Sequence, residues 1–267
     1  MSDFIDLMNE AAIEAAAAIR EVYERGTVAI EKPDGSPVTE ADQRAEAIIL
    51  ALLEASGLPV LAEESVAAGR IPELGERYFV VDPLDGTKEF LKRNGEFTVN
   101  IAYCEGGHPV SGVVLAPATE EIYWGGPRGA FTGKVIDGQI GAISALAVSR
   151  TEHPLRIVAS RSHGHAALAE LCDTLDVAED VSVGSSLKFC LLAKGEAQLY
   201  PRFTPTSEWD TAAGQAVLQA AGGVVWGMDG KPLTCGHRDR NFLNEWFVAA
   251  AGEDLARRAL AEMLRHA

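Results

Sequence analysis

The sequence predicts an α/β protein, with an α+β N-terminal half and an α/β C-terminal half. Three observations lead there. Apolar residues recur at helical spacing near both ends of the chain. Short strand-like segments fill the stretch from "FTVNIAY" to "EEIYWGG". After about residue 150, strand-like and helix-like segments alternate, which is α/β order. A chain of 267 residues exceeds a typical single domain, so one large domain or two closely packed ones is expected. We place the division at 1–149, an α+β half, and 150–267, an α/β half. No long linker separates them, so they should share an interface, a common place for a site.

Taken in order, residues 3–25 read as an amphipathic helix, with Ile5, Met8, Ala12, Ile19 and Val22 near one face and Gly26 closing it. "EKPDGSPVTEAD" reads as a turn, because Pro33, Gly35 and Pro37 interrupt any helix. A helix follows from Thr39, its N-cap, to about Ala55. "LPVLAEES" is a short strand ending in acids, "RYFVVD" a second strand, and "FTVNIAYCEGGHPVSGVVLAPATEEIYWGG" an antiparallel meander. Beyond the division come a strand in "LRIVAS", a helix in "GHAALAELCDTLD", a turn entering a helix in "SVGSSLKFCLLAKG" and a strand in "AQLY". "DTAAGQAVLQAAG" is helical, "GGVVWGMDG" a strand and turn, "EWFVAAA" a strand, and "EDLARRALAEML" the last helix.

Composition narrows the function. The net charge of −16 argues against a duplex nucleic-acid partner, which requires a basic face. A small anionic substrate would need local cations, and an acidic chain can recruit divalent metal to supply them. No apolar run is long enough to span a bilayer, and the acidic N-terminus lacks the pattern of a secretion signal, so a cytoplasmic protein is expected. Cys104, Cys172, Cys190 and Cys235 are far apart and form no zinc pattern, so they read as free, buried thiols.

The densest chemistry lies in "RYFVVDPLDGTKEF". Pro83 cannot extend a central strand, so the strand should end at Asp82. Gly86 permits a turn, and Thr87 can open a helix. Asp82 and Asp85 then stand at a strand end beside a helix start, with the Leu84 carbonyl free between them. Two carboxylates and a carbonyl are hard oxygen ligands suited to magnesium, which would remove the repulsion between the acids. The amides of Gly86 and Thr87 could hold a phosphate oxygen. An ordinary Asp-Pro, Asp-Gly surface turn has the same spacing. Other acids also stand at element ends: Glu63 and Glu64 after an apolar run, Asp210 at a helix start beside Trp209, and Asp42 in a first helical turn. Each alone could be a cap or a solvated acid.

At these residues the chain resembles the inositol monophosphatase superfamily of magnesium-dependent, lithium-sensitive phosphatases. "DPLDGT", with the upstream "EE" and the downstream "WDTAAG", carries the resemblance as three signatures in the right order, and it extends from "SPVTEAD" to the C-terminal strand. "GSSLKFCLLAKGEAQLYPRF" and "EWDTAAGQAVLQAAGG" look most like the CysQ-type 3′(2′),5′-bisphosphate nucleotidases. The resemblance implies a layered α/β/α/β/α sandwich of the inositol monophosphatase and fructose-1,6-bisphosphatase type. It implies removal of the 3′-phosphate from adenosine 3′,5′-bisphosphate, and from its sulfated form. It implies metal ligands at Glu63, Asp82, the Leu84 carbonyl, Asp85 and Asp210, with Thr87 and Asp42 activating water. Two to three Mg2+ ions per site are implied, one orienting the water and another the phosphate. Lithium inhibition is implied as well. Glu64 would stand behind the ligands.

The substrate is less sharply written. Where inositol enzymes carry a Glu, this chain has "YPRF", and the fork of Arg202 suits a second phosphate. Lys188 offers another cation, and Gly184, Ser185 and Ser186 offer amides and hydroxyls at a helix start. With Glu63, Leu84, Asp85, Gly86, Thr87 and Asp210 these complete the expected substrate contacts. Ser160 to His163, Lys88 and Lys92 are weaker candidates, and Tyr200, Phe203 and Trp209 could include a stacking surface for a base, although core packing explains at least two of them. Inositol phosphate, sugar phosphates and a non-catalytic metal-binding module stay open as alternatives. So do monomer or homodimer, and a peripheral association with the inner membrane.

Overall fold

The computed structural model describes residues 4–32, 35–151, 153–159 and 166–266. Helix α1 (Ile5–Arg25) buries all five expected apolar residues, and Gly26, at φ +78°, closes it with its N–H on the Val22 carbonyl. The expected turn is a small hairpin, β1 (Ile30–Glu31) against β2 (Pro37–Val38). Helix α2 (Glu40–Leu53) is capped by Thr39 as expected: Thr39 Oγ1 accepts from Ala41 N, and Asp42 Oδ2 accepts from Thr39 N at 2.7 Å. Strand β3 (Val60–Ala62) runs into the short helix α3 (Glu63–Ala67), and β4 (Arg77–Asp85) leads to α4 (Thr87–Lys92). The meander follows as β5 (Thr98–Glu105), β6 (His108–Ala116), β7 (Glu121–Gly126) and β8 (Gly129–Ile136), then the short β9 (Gln139–Ile140) and β10 (Ser144–Leu146). These strands form one sheet in the order β10-β8-β7-β6-β5-β4-β3, with β9 on β8. Only the β3–β4 pair in it is parallel.

The second half begins with β11 (Leu155–Ile157), α5 (Ala166–Leu175) and β12 (Val177–Asp180). Helix α6 (Leu187–Ala193), β13 (Leu199–Arg202), β14 (Thr206–Ser207) and α7 (Ala212–Ala220) follow. Last come β15 (Val224–Gly227), β16 (Leu243–Asn244), β17 (Phe247–Ala250) and α8 (Glu253–Met263). The second sheet has the order β12-β11-β13-β17-β15, and β14 pairs with β16 apart from it. Strand β12 and the β14–β16 pair were not expected; they are short and carry little period-2 pattern.

Three cores define the layers. Alternation along β4 sends Phe79 and Val81 to the α1–α2 side and Val80 to the other side. There Val80, Ala102, Val114 and Tyr123 meet Phe189 of α6, Ala213 and Val217 of α7, and Phe247 of the second sheet. Leu199, Val248 and Ala250 then face Leu171 of α5 and Leu255, Ala259 and Met263 of α8. The order is helices, sheet, helices, sheet, helices, the layered sandwich expected. Helix α7 reaches the first sheet closely because Gly112 and Gly125, paired across β6 and β7, have no side chains. A Cβ at Gly112 would lie 2.5 Å from the Ala213 carbonyl oxygen, and one at Gly125 2.7 Å from Val217 Cα. Among the described residues, no helix is long and apolar enough to cross a membrane. The four cysteines are free, with Cys172 half-buried and the others buried.

Candidate active site

The site forms where β4 breaks its register. Asp82 pairs with Asn100 and Asp85 with Thr98, so Pro83 and Leu84 oppose the single residue Val99. This bulge corrects the expected strand end at Asp82. Pro83 has no N–H to give, and the extra residue absorbs that loss without ending the strand. In a regular strand residues three apart face opposite sides; the bulge lets Asp82 and Asp85 converge. Gly86 then turns the chain at φ +97°, where a Cβ would crowd the Glu96 carbonyl oxygen at 3.0 Å.

Carboxylate oxygens of Asp82, Asp85 and Asp210 lie within 4.8 Å of one another. Asp210 arrives from the turn before α7, in the other half of the chain. Its Oδ2 accepts from Thr206 Oγ1 and from Ser207 N at 3.0 Å. Asp82 Oδ1 accepts from Leu84 N at 2.9 Å. Ser186 Oγ stands 3.0 Å from Asp85 Oδ2 and 2.8 Å from the Asp210 carbonyl oxygen, and accepts from Asn100 Nδ2 at 2.9 Å. Ser186 is buried, and its hydroxyl is held between Asn100, Asp85 and the Asp210 carbonyl. Gly184 N donates to Glu96 Oε2 at 2.9 Å, so this amide is also taken.

Packing the acids together has an electrostatic cost. Burial first, then the charges of Glu63, Asp85 and Asp210, raises the Asp82 carboxyl well above the usual carboxylate range. Burial and the Asp210 charge push Asp85 up to about 6, against the pull of Lys188 and Ser186. Burial and the Glu63 charge raise Asp210 too. Burial pushes Glu63 up to about 7, although Lys32 opposes it. Lys32 comes from the β1–β2 hairpin, and its Nζ donates to Glu63 Oε1 at 2.8 Å and Glu64 Oε1 at 2.6 Å. Burial alone would lower the pKa of this ammonium; the two carboxylates outweigh it and raise it. Such an all-oxygen set of mutually repelling acids, with Asp82, Asp85 and Asp210 close enough to share an ion, fits a hard divalent cation.

Thr87 Oγ1 lies 3.0 Å from Asp42 Oδ1 and 3.4 Å from the Leu84 carbonyl oxygen. Burial raises the Asp42 carboxyl, while hydrogen bonds from Thr39 and Thr87 oppose the rise.

Beside the acids opens a cleft of about 310 Å³, lined by Asp85, Gly86, Lys88, Ser185, Lys188, Tyr200, Arg202 and Asp210. Lys188 is buried rather than an exposed helix lysine; its Nζ donates to the Ser185 carbonyl at 2.9 Å and lies 5.6 Å from the Tyr200 ring centre. Arg202 donates from Nε to the Thr204 carbonyl at 3.1 Å. Ser185 has the unusual φ of +48°, and its buried hydroxyl has no hydrogen-bond partner among the described residues. Tyr200 lines the cleft, whereas Phe203 packs on Trp246 and Trp209 on Phe242. Lys92 is exposed outside the cleft, and Ser160 to His163 fall outside the described residues.

Sequence reasoning missed four supports. Lys32 lay in a turn. Glu46 accepts from Glu64 N at 2.8 Å and from Ser65 Oγ at 2.7 Å, anchoring the start of α3. Its position four residues after Asp42, on the same helix face, was a usable signal. Asn100, a lone amide in an apolar strand, was another. Glu208, beside Trp209, was passed over.

Residues 1–266 match the model of the inositol monophosphatase family. It is 46% identical over 248 residues to the 3′(2′),5′-bisphosphate nucleotidase CysQ of Escherichia coli K12, covering 91% of this chain and 98% of that protein. Identity to the CysQ of Salmonella typhimurium is 48%, over 87% of this chain and 94% of the relative. The crystal structure of CysQ from Bacteroides thetaiotaomicron superimposes with a TM-score of 0.76 at 37% identity, covering 91% of this chain and 95% of that one. An inositol monophosphatase of Thermotoga maritima shares the fold, with a TM-score of 0.78 at 22% identity over 99% of both chains. The chain belongs to the inositol monophosphatase family.

Proposed function

We propose that this protein is a metal-dependent 3′(2′),5′-bisphosphate nucleotidase, which hydrolyses the 3′-phosphate of adenosine 3′,5′-bisphosphate to give AMP and phosphate. The observation that carries the reading is the convergence of Asp82, Asp85 and Asp210, the last two lining a cleft that also holds Lys188 and Arg202. Glu63, Asp82, the Leu84 carbonyl, Asp85 and Asp210 would hold two to three magnesium ions, which when bound would neutralise the phosphate and lower the pKa of water.

The chain's own groups do the rest. Thr87 and Asp42 orient the attacking water, and Asp42 receives its proton through the Thr87 hydroxyl. The burial that raises Asp42 makes it a better base for that step. Ser186 and Thr206 fix Asp85 and Asp210, so little reorganisation is needed as charge moves onto the leaving oxygen. Lys188 and Arg202 offer the cleft's positive charge to the second phosphate. Ser185 Oγ, without a partner among the described residues, supplies a hydrogen bond. Tyr200, which lines the cleft, is available to the nucleoside.

The test is a substrate panel assayed as kcat/KM with and without Mg2+. Adenosine 3′,5′-bisphosphate should be preferred over inositol 1-phosphate and fructose 1,6-bisphosphate, with no turnover in chelator. A clear preference for inositol phosphate would overturn the substrate and keep the phosphatase. No metal-dependent release from any substrate would overturn both.

A further inference from the structure

Two residues before Asp210, Glu208 is completely buried yet lies outside the acidic cluster. Both of its oxygens are taken by one segment. Oε2 accepts from Gly236 N at 2.5 Å, and Oε1 from His237 N at 3.0 Å and His237 Nδ1 at 2.6 Å. With the proton on Nδ1, His237 Nε2 is free to accept from Thr234 Oγ1, 3.1 Å away. A buried carboxylate is tolerated only when so fully hydrogen-bonded.

The backbone repeats the connection. Glu208 N donates to the Phe242 carbonyl at 2.8 Å, and β14 pairs with β16 through Thr206–Asn244 and Ser207–Leu243. Asn244 Nδ2 donates to Thr211 Oγ1 at 2.9 Å, next to Asp210. The same segment also grips the first sheet. Tyr78 Oη, on the strand that carries Asp82 and Asp85, donates to the Cys235 carbonyl at 2.8 Å. Cys235 N donates to the Gly107 carbonyl at 2.7 Å. Residues 235–244 thus run from the start of β4, the strand that carries Asp82 and Asp85, to the turn of Asp210.

We propose that Glu208 and His237 are positioning residues, which lock segment 235–244 onto the Asp210 turn and so hold Asp210 at the right distance from Asp82 and Asp85 to share metal. This rests on the metal-site reading above and on no particular substrate. Neither side chain touches the reacting atoms; both act through Asp210.

The experiment is calorimetric titration of the metal-stripped full chain with Mn2+, without substrate. His237→Ala should weaken the binding about tenfold, the lower end of what removal of a ligand-orienting group does. His237→Asn, whose amide can donate where Nδ1 did, should recover most of that loss. Glu208→Gln should weaken binding at least as much as His237→Ala. Should Glu208→Gln fail to fold, the two His237 variants decide alone. Wild-type affinity in His237→Ala, even in a less stable protein, would overturn the proposal, leaving the pair a purely structural tie. Loss in His237→Ala without recovery in His237→Asn would overturn it as well. A wild-type chain that binds no Mn2+ would instead overturn the metal site itself, and this inference with it.

Discussion

Replacing Asp85 by Asn should stabilise the metal-free protein while abolishing its response to metal. The acids' oxygens lie within 4.8 Å of one another. Two unit charges at that separation repel by roughly 3.5 kcal/mol at an effective dielectric of about 20. Asp85 stands beside both Asp82 and Asp210, and its pKa is raised from 3.8 to about 6, first by burial and then by Asp210. That displacement corresponds to roughly 3 kcal/mol held against the fold at neutral pH. The amide removes this cost and weakens the hydrogen bond from Ser186, worth about 1 kcal/mol. The variant should therefore gain about 2 kcal/mol, or about 5 °C in melting temperature for a chain of this size. Metal reverses the order. At a concentration about 100 times its Kd, Mg2+ adds about 2.7 kcal/mol to the wild type, and the variant should gain little. Thermal melts of both proteins in EDTA and in Mg2+ make the comparison. An Asp85→Asn protein that is less stable in EDTA, yet shifts with Mg2+ as the wild type does, would refute the reasoning.

Further predictions follow from the same geometry. The folded pKa values of Glu63, about 7, and Asp85, about 6, exceed their ordinary values of 4.5 and 3.8. The folded chain then binds more protons than the unfolded one between those limits, so metal-free stability should fall as pH rises from about 4 to 7. Urea midpoints in EDTA that stay flat or rise across that window would contradict this; excess Mg2+ should flatten the profile. Asp42→Asn and Thr87→Val should lower kcat by about 10²–10⁴ while Mn2+ affinity stays close to wild type, because neither is a metal ligand here; near-normal turnover would remove them from the mechanism. Lys32→Met breaks a buried ion pair with Glu63 and Glu64, costing roughly 3 kcal/mol. That deficit, read from chemical denaturation, should shrink in saturating Mg2+, and a deficit indifferent to metal would separate Lys32 from the site. Lys188→Met and Arg202→Gln should each raise KM for adenosine 3′,5′-bisphosphate about tenfold or more, as expected for lost hydrogen bonds to a charged group. An equal rise for a monophosphate substrate would exclude contact with the second phosphate.

Much of the fold was legible because its signals are local. The 3.6-residue spacing of Ile5, Met8, Ala12, Ile19 and Val22 and the cap at Thr39 act within a few residues. The acids were legible because they stand at the ends of apolar runs, and three separated motifs carry them in family order. What stayed hidden depends on partners far apart in sequence. Lys32 meets Glu63 across 31 positions, and Ser186 meets Asp85 across 101. Nothing near Lys32 distinguishes a cation folded over the acids from one in water. The rule that proline ends a strand failed at Pro83, because a bulge accommodates the missing N–H and is itself what brings Asp82 and Asp85 together. Lys188 looks like an exposed helix residue until the second sheet places Tyr200 over it.

The central claim is that acids from both halves of the chain hold divalent metal between them. Anomalous diffraction from crystals grown with Mn2+ tests it most directly. Peaks should fall among Glu63, Asp82, the Leu84 carbonyl, Asp85 and Asp210, with the Lys32 ammonium moved off Glu63. A map in which manganese scatters elsewhere, while Lys32 keeps its place against Glu63, would contradict the account.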